Sequence, residues 1–159
     1  MDTTNWNIFL LPNPPWFHGV NGSPARIMDL CQKKLKYCCR IVRGKTMNCK
    51  ESLLHEFGAA LQFPYYFGEN WDGFNECLAD LSWLDLSVVI LIVDAEQILP
   101  GADAEFRTFL EMLNAAAHDR NKNSTSLHIV FQTAPAAHEK FIARCAAHGI
   151  KLSEAPFTS

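Results

Sequence analysis

SVVILIVDA, residues 87–95, is a continuous apolar and β-branched run in which polar and apolar positions do not alternate. A strand of that composition is buried on both faces, so helices must lie above and below it. The sequence on either side supplies them. Residues 104–118 place Phe106, Phe109, Leu110 and Leu113 at helical spacing, and SLHIVFQT (126–133) follows as another strand after a polar turn over 120–125. Upstream, YCCRIVRG (37–44) is β-branched and aromatic at its centre and ends at Gly44, as a short strand should. Asn48 with Glu51 three residues on predicts a capped helix start, and Phe63-Pro64 ends that helix after about Leu61, because the residue before Pro is pushed out of the α region. Asn70 then caps a second helix whose apolar face is Trp71, Phe74, Leu78 and Leu81.

The order is strand, helix, helix, strand, helix, strand. Such alternation implies right-handed crossovers and a parallel sheet. The expectation is a small α/β layer with three parallel strands covered by helices. At 159 residues the chain is expected to be one domain spanning 1–159, with a core over about 38–133. Residues 1–37 carry a Pro-rich opening and a helix around 24–36, and 134–159 carry an Ala-rich helix over 135–148 leading into GIKL; both are expected to pack on the same core.

Composition and charge narrow the function. A net charge of −3 argues against a protein that coats nucleic acid through a broad basic surface. The N-terminus has no charged leader, and its apolar run IFLL is too short for a signal peptide or a membrane span. Six cysteines without a CxxC pair read as thiols in a reducing cytoplasm, and the NGS triplet at 21–23 carries no meaning as a glycosylation acceptor there. His138, Cys145 and His148 on one helix are the nearest approach to a metal-ligand set, and read better as surface histidines beside a buried thiol.

The net charge conceals an asymmetry. Residues 51–106 hold eleven acids and no Lys or Arg, whereas 26–50 hold eight basic residues against the single acid Asp29. Such a separation creates a field that steers charged partners to one face. Within it, Asp72, Glu76 and Asp80 fall at i, i+4 and i+8 on the helical side opposite the apolar face. Like charges at that spacing cost a helix roughly 0.2–0.5 kcal/mol per pair, and Gly73 costs up to about 1 kcal/mol relative to Ala. None of this favours the fold. An acidic stripe beside exposed Tyr65 and Tyr66 suits either a cationic protein surface, where carboxylates accept bidentate Arg, or a divalent metal.

The stretch PYYFGENWDGFNECL (64–78) resembles the signature segment of the barstar family, intracellular protein inhibitors of secreted ribonucleases. The family's Pro-x-Tyr-Tyr/Phe-Gly-x-Asn-x-Asp pattern, followed by a further acid and Leu, is carried here by Pro64, Tyr66, Phe67, Gly68, Asn70, Asp72, Glu76 and Leu78. The resemblance implies a three-stranded parallel sheet, no enzymatic activity and no cofactor. It also implies that the second helix and the loop before it enter a nuclease's active-site cleft, where carboxylates stand in for substrate phosphates. On that reading Tyr65, Tyr66, Asp72, Asn75, Glu76 and Asp80 bind the partner, Glu76 being the central carboxylate and Asp80 a contributor of long-range field. Glu69 helps build the turn, and Glu111 is the candidate acid from the late helix. Two positions depart from the family's pattern: Asn75 stands where the best-known member has an aromatic, and the central acid is Glu rather than Asp. They point to a different nuclease partner. The expected protein is thus a cytoplasmic inhibitor or immunity protein, monomeric when free, that contacts a basic nuclease and neither nucleic acid nor membrane. The alternatives are a metal-dependent hydrolase using Glu69, Asp72 and Glu76, against which no HExxH, P-loop or nucleophile elbow is present, and a binding module for a basic protein that is not a nuclease.

Overall fold

A computed structural model describes residues 6–34, 39–84 and 87–155. Its elements in chain order are β1 (Phe17–Asn21), α1 (Pro24–Lys34), β2 (Cys39–Arg43), α2 (Lys50–Ala60), α3 (Trp71–Asp80), β3 (Ser87–Val93), α4 (Asp103–Lys122), β4 (Ser126–Thr133), α5 (His138–Ala146) and β5 (Ser153–Glu154). The strands form one parallel sheet in the order β2-β3-β4-β1-β5. The predicted alternation and parallel pairing are present, but the sheet has five strands rather than three. Both additional strands come from the segments flanking the expected core.

β3 behaves as its composition requires. Val88, Ile90 and Ile92 face the larger core, built with Leu53, Phe57, Phe74, Leu78, Phe106, Phe109 and Phe131 from the helices and β4. Val89, Leu91 and Val93 face a second, smaller core with Phe9, Val20, Ile27 and Cys31. Alternate residues of a strand point to opposite faces, so a run that is apolar at every position is fully used only when both faces are covered. The N-terminal segment covers the second face: α1 and a 3-10 turn over Trp6–Leu10 lie there, with Phe9 wholly buried.

The added strands are held by buried polar side chains of β4, all eight of whose residues are buried. Gln132 Nε2 donates to the Gly22 carbonyl (2.7 Å) while its Oε1 accepts from the Asp94 amide (2.8 Å), so one side chain bridges the ends of β1 and β3. His18 and His128 stack across β1 and β4, with Nε2 of His18 2.9 Å from Nδ1 of His128. The chain of contacts continues from His18 Nδ1 to Ser153 Oγ in β5 (3.0 Å) and from His128 Nε2 to the Leu11 carbonyl (2.9 Å).

Three boundaries differ from expectation. α2 is capped at Cys49 rather than Asn48, and Ser52 takes the place assigned to Glu51: its Oγ accepts from the Cys49 amide (3.1 Å) and donates to Asn48 Oδ1 (3.1 Å). α4 continues through the predicted turn to Lys122, because Arg120 and Asn121 are buried and bonded: Asn121 Nδ2 donates to the Ala117 and Leu127 carbonyls. α5 starts only at His138, after a 3-10 turn over Pro135–Ala137. Of the predicted strand over 37–44 and helix over 24–36, residues 35–38 lie outside the described residues. Among the described residues no helix is long and apolar enough to cross a membrane.

Candidate functional site

The acidic helix α3 and the loop before it (62–70) form one unit framed by α2 and α4. The loop runs back along α2. Phe67 lies against Gly58, Glu69 Oε1 lies 3.7 Å from His55 Nδ1, and the Lys50 ammonium sits 6.0 Å from the Trp71 ring centroid. α2 ends ahead of Pro64 in a left-handed turn at Gln62 (φ = 54°), where the Phe63 amide donates back to the Gly58 carbonyl (2.9 Å), and the Phe67 amide then closes a turn on the Pro64 carbonyl (2.9 Å). Glu69 takes φ = 50°, a left-handed conformation that few non-glycine residues adopt, which agrees with its expected part in building the turn.

Asn70 then caps α3 as predicted, its Oδ1 accepting from the Gly73 amide at 2.7 Å. Gly73, counted as a cost on sequence grounds, has a packing reason. A Cβ there would stand 3.2 Å from Asn70 Oδ1, 3.3 Å from the Phe67 ring and 3.4 Å from the Gly68 amide nitrogen. The loop is folded onto the first turn of the helix, and the missing side chain makes that approach possible.

α3 buries Phe74, Cys77, Leu78 and, at its C-cap, Leu81, with Trp71 half-buried at the start. Phe74 packs edge-on against Phe57, Phe63 and Trp71. The opposite side presents Asp72, Glu76 and Asp80 to solvent, and Asn75 is half-buried beside them. Tyr65 is fully exposed and Tyr66 is 59% exposed, their rings 5.9 Å apart in a T-shaped arrangement. The Tyr66 phenol is held above its usual pKa by partial desolvation and by the neighbouring Asp80, Cys77 and Glu76. The Cys77 thiol is pushed up by burial and by the same two carboxylates.

Several acids of segment 51–106 are engaged within the protein. Glu56 takes Arg43 in a two-pronged ion pair (3.0 and 3.1 Å) and accepts the Arg43 amide as well (3.0 Å). Burial raises the Glu56 pKa, but these Arg43 bonds outweigh it and leave the carboxyl below its ordinary value. Asp103 lies 3.7 Å from Arg144, Glu105 accepts from the Trp71 indole (3.0 Å), and Glu96 accepts from the Ala134 amide (3.3 Å). The carboxylates of Asp72 and Glu76, by contrast, meet no cation or hydrogen-bond donor among the described residues. Asp80 is intermediate. Arg120 Nη1 donates to its main-chain carbonyl (2.8 Å), and burial lowers the Arg120 pKa while the Asp80 charge opposes that shift. Glu111, the candidate from the late helix, is paired with Arg107 one turn away at 2.9 Å.

Sequence reasoning missed Glu105 and Arg120, the two α4 side chains that fix the ends of α3. Their link to α3 spans 34 and 40 residues, so no local spacing reveals it. A half-buried indole N–H that needed an acceptor was the available signal. The alternative metal set does not assemble: among the described residues no three of His, Cys, Asp or Glu converge, neither Glu69, Asp72 and Glu76 nor His138, Cys145 and His148. His138 Nδ1 is instead 2.8 Å from the Thr133 hydroxyl.

A search of curated proteins returns no match. Among solved structures the chain is similar to one in the structure of Drosophila ORC bound to AT-rich DNA and Cdc6, with 12% identity and a TM-score of 0.51. The match covers 97% of this chain and 54% of that one, so the chain spans about half of its length; at that identity the likeness concerns the layered α/β fold alone. The barstar (barnase inhibitor) profile matches residues 37–132, from the start of the β2 segment to the end of β4, and takes in the whole unit of α2, the aromatic loop, α3 and α4. With well over half of the sequence matched, the chain belongs to the barstar family.

Proposed function

We propose that this protein is an intracellular inhibitor of a basic, ribonuclease-type nuclease, occluding the enzyme's active-site cleft with α3 and the aromatic loop. The observation that carries the proposal is the contrast among its acids. Glu56, Asp103 and Glu105 are engaged within the protein, whereas Asp72 and Glu76 stand on the open face of α3 without a cation or donor among the described residues, on a helix preceded by the exposed rings of Tyr65 and Tyr66. Unpaired carboxylates on a rigid helix suit the Lys, Arg and His side chains that a nuclease uses to hold substrate phosphates, and the two tyrosines supply contact area that excludes water around them. Asn75, half-buried on the same helix, joins the contact, and Asp80, partly balanced by Arg120, adds mainly to the attracting field. The whole chain acts as one domain. Its flanking segments serve as scaffold, since β1 and β5 extend the sheet at the edge remote from β2 and α2. A cytoplasmic location follows from this role, where the protein would guard its host against the toxin.

The test is inhibition. Added to the cognate nuclease, the purified protein should abolish cleavage of nucleic acid. Hydrogen bonds to charged groups contribute about 1.5–3 kcal/mol each, so Asp72→Ala with Glu76→Ala should weaken inhibition by roughly 10²–10⁴-fold. The association rate should fall as salt rises, because the field is screened over about 10 Å at 0.1 M ionic strength. A double variant that inhibits as well as the parent protein would show that α3 is not the binding surface.

A further inference from the structure

The loop's return along α2 leaves a cleft of about 270 Å³ lined by His55, Gly58, Ala59, Phe63, Phe67 and Glu69. It lies below the 300–1,000 Å³ usual for small-molecule sites and suits a single long side chain better than a cofactor. Its walls are aromatic: Phe63 and Phe67 meet edge to face with centroids 4.9 Å apart. Its floor is the α2 backbone at Gly58, where a Cβ would stand 3.2 Å from the Phe67 ring, so the absence of a side chain lets the ring settle there. At its rim the Glu69 side chain is 65% exposed and held near His55.

We infer that this cleft receives an arginine side chain of the basic partner, extending the interface from α3 onto α2. The inference rests on the reading of the protein as an inhibitor of a basic protein. A guanidinium is weakly hydrated, stacks on aromatic faces and pairs with carboxylates through a planar fork, so it matches aromatic walls with an acid at the mouth. A lysine ammonium, compact and strongly hydrated, matches only the acid. The surrounding charge favours the same occupant, since residues 51–106 contribute eleven acids and no Lys or Arg.

Nuclear magnetic resonance titration of the full chain with N-acetyl-arginine amide tests this without the nuclease. Saturable shifts are expected at the amides of His55, Gly58, Ala59 and Glu69, weaker ones with N-acetyl-lysine amide, and none with the uncharged citrulline analogue. Ala59→Leu fills the cleft from an exposed helical position, and Glu69→Gln removes the rim charge. Each should lower arginine affinity at least about fivefold, and Ala59→Leu should weaken nuclease binding while leaving its dependence on Asp72 and Glu76 intact. Shifts confined to Asp72 and Glu76, or equal shifts with citrulline, would overturn the arginine site and leave the inhibitor reading standing. Loss of inhibition by neither the α3 nor the cleft variants would instead count against that reading itself.

Discussion

Acidification from pH 7.5 to 5 should destabilise this protein through one buried pair of rings. His18 and His128 are both fully buried between β1 and β4, and their hydrogen bonds admit one neutral arrangement. The Leu11 carbonyl can only accept, so His128 carries its proton on Nε2; His128 Nδ1 then accepts from His18 Nε2–H, and His18 Nδ1 accepts from the Ser153 hydroxyl. A proton added to His128 Nδ1 is accepted by His18 Nε2 only if His18 shifts its own proton to Nδ1 and the Ser153 hydroxyl turns to the Phe17 carbonyl (3.3 Å), and the charge then stays buried away from water. Burial, reinforced by the neighbouring His128, pulls the His18 pKa from 6.5 to about 3, and burial lowers that of His128 too. Since the folded value is depressed, the unfolded chain binds more protons below pH 6.5. Stability is therefore complete above that pH and declines as pH falls from 6.5 toward about 3. Each pH unit in that window costs roughly 1.4 kcal/mol through His18, about 2 kcal/mol at pH 5, and the lowered pKa of His128 acts in the same direction. For a chain of this size that lowers the melting temperature by roughly 4–8 °C. Ordinary carboxylates titrate near pH 4, so the interval from 6.5 to 5 reports imidazoles. Urea unfolding at half-unit steps of pH measures the slope, and replacing both rings by Phe in a site already lined by Phe9 should remove it. Ring resonances of the wild-type protein give a second reading that does not need the variant to fold. If those of His18 and His128 titrate near pH 6.5 in the folded state, or stability is flat down to pH 5, the burial argument fails.

Two further perturbations probe the frame around the site. Gly44→Ala would drive a Cβ into the Asp94 carbonyl oxygen and place it 2.7 Å from that of Val93, both backbone atoms with no room to yield, so a loss of at least about 3 kcal/mol in urea unfolding is expected; a loss under 1 kcal/mol would mean that the β2–β3 junction is looser than described. Glu56→Ala should cost about 1–3 kcal/mol at neutral pH by leaving the Arg43 amide without its acceptor, the exposed guanidinium turning to water, and the difference from wild type should shrink as pH falls below the ordinary carboxylate value, where the folded state loses this stabilisation; a pH-independent difference would assign the effect to packing.

What the sequence disclosed, and what it withheld, follows from the range of the interactions involved. β3 was legible because its own side chains decide its burial, and α3 because Asn70, Phe74 and Leu78 lie within one short segment. The same is true of the site's outline, since the aromatic loop and acidic stripe form one contiguous motif. β1 escaped notice because FHGVN contains a histidine and a glycine and is short; it becomes a strand only when β4, more than a hundred residues away, supplies hydrogen bonds and the His128 ring. β5, two residues long, depends in turn on β1, with which it pairs. The late turn of α4 looked polar because Arg120 and Asn121 are polar, yet both are buried by partners on α3, α4 and β4. Long-range pairing of polar groups leaves no periodic trace.

The energetics of α3 explain why the acidic stripe can persist. Its local costs, two like-charge pairs and Gly73, amount to about 1–2 kcal/mol. Against them stand the Asn70 cap, typically about 1 kcal/mol, and the complete burial of Phe74, Leu78 and Leu81, roughly 1.5–3 kcal/mol each before conformational entropy is subtracted. Glu105 and Arg120 then hold the helix at both ends from α4, acting on the Trp71 indole and the Asp80 carbonyl and not on the outward carboxylates. The fold thus secures α3 through its apolar face and its ends, and leaves Asp72 and Glu76 outside the network that stabilises it. Removing those two charges relieves their mutual repulsion and gives up only the favourable place of Asp72 in the first turn, roughly 0.3–1 kcal/mol, so a loss of inhibition of several kcal/mol in the double variant reports the interface and not the helix.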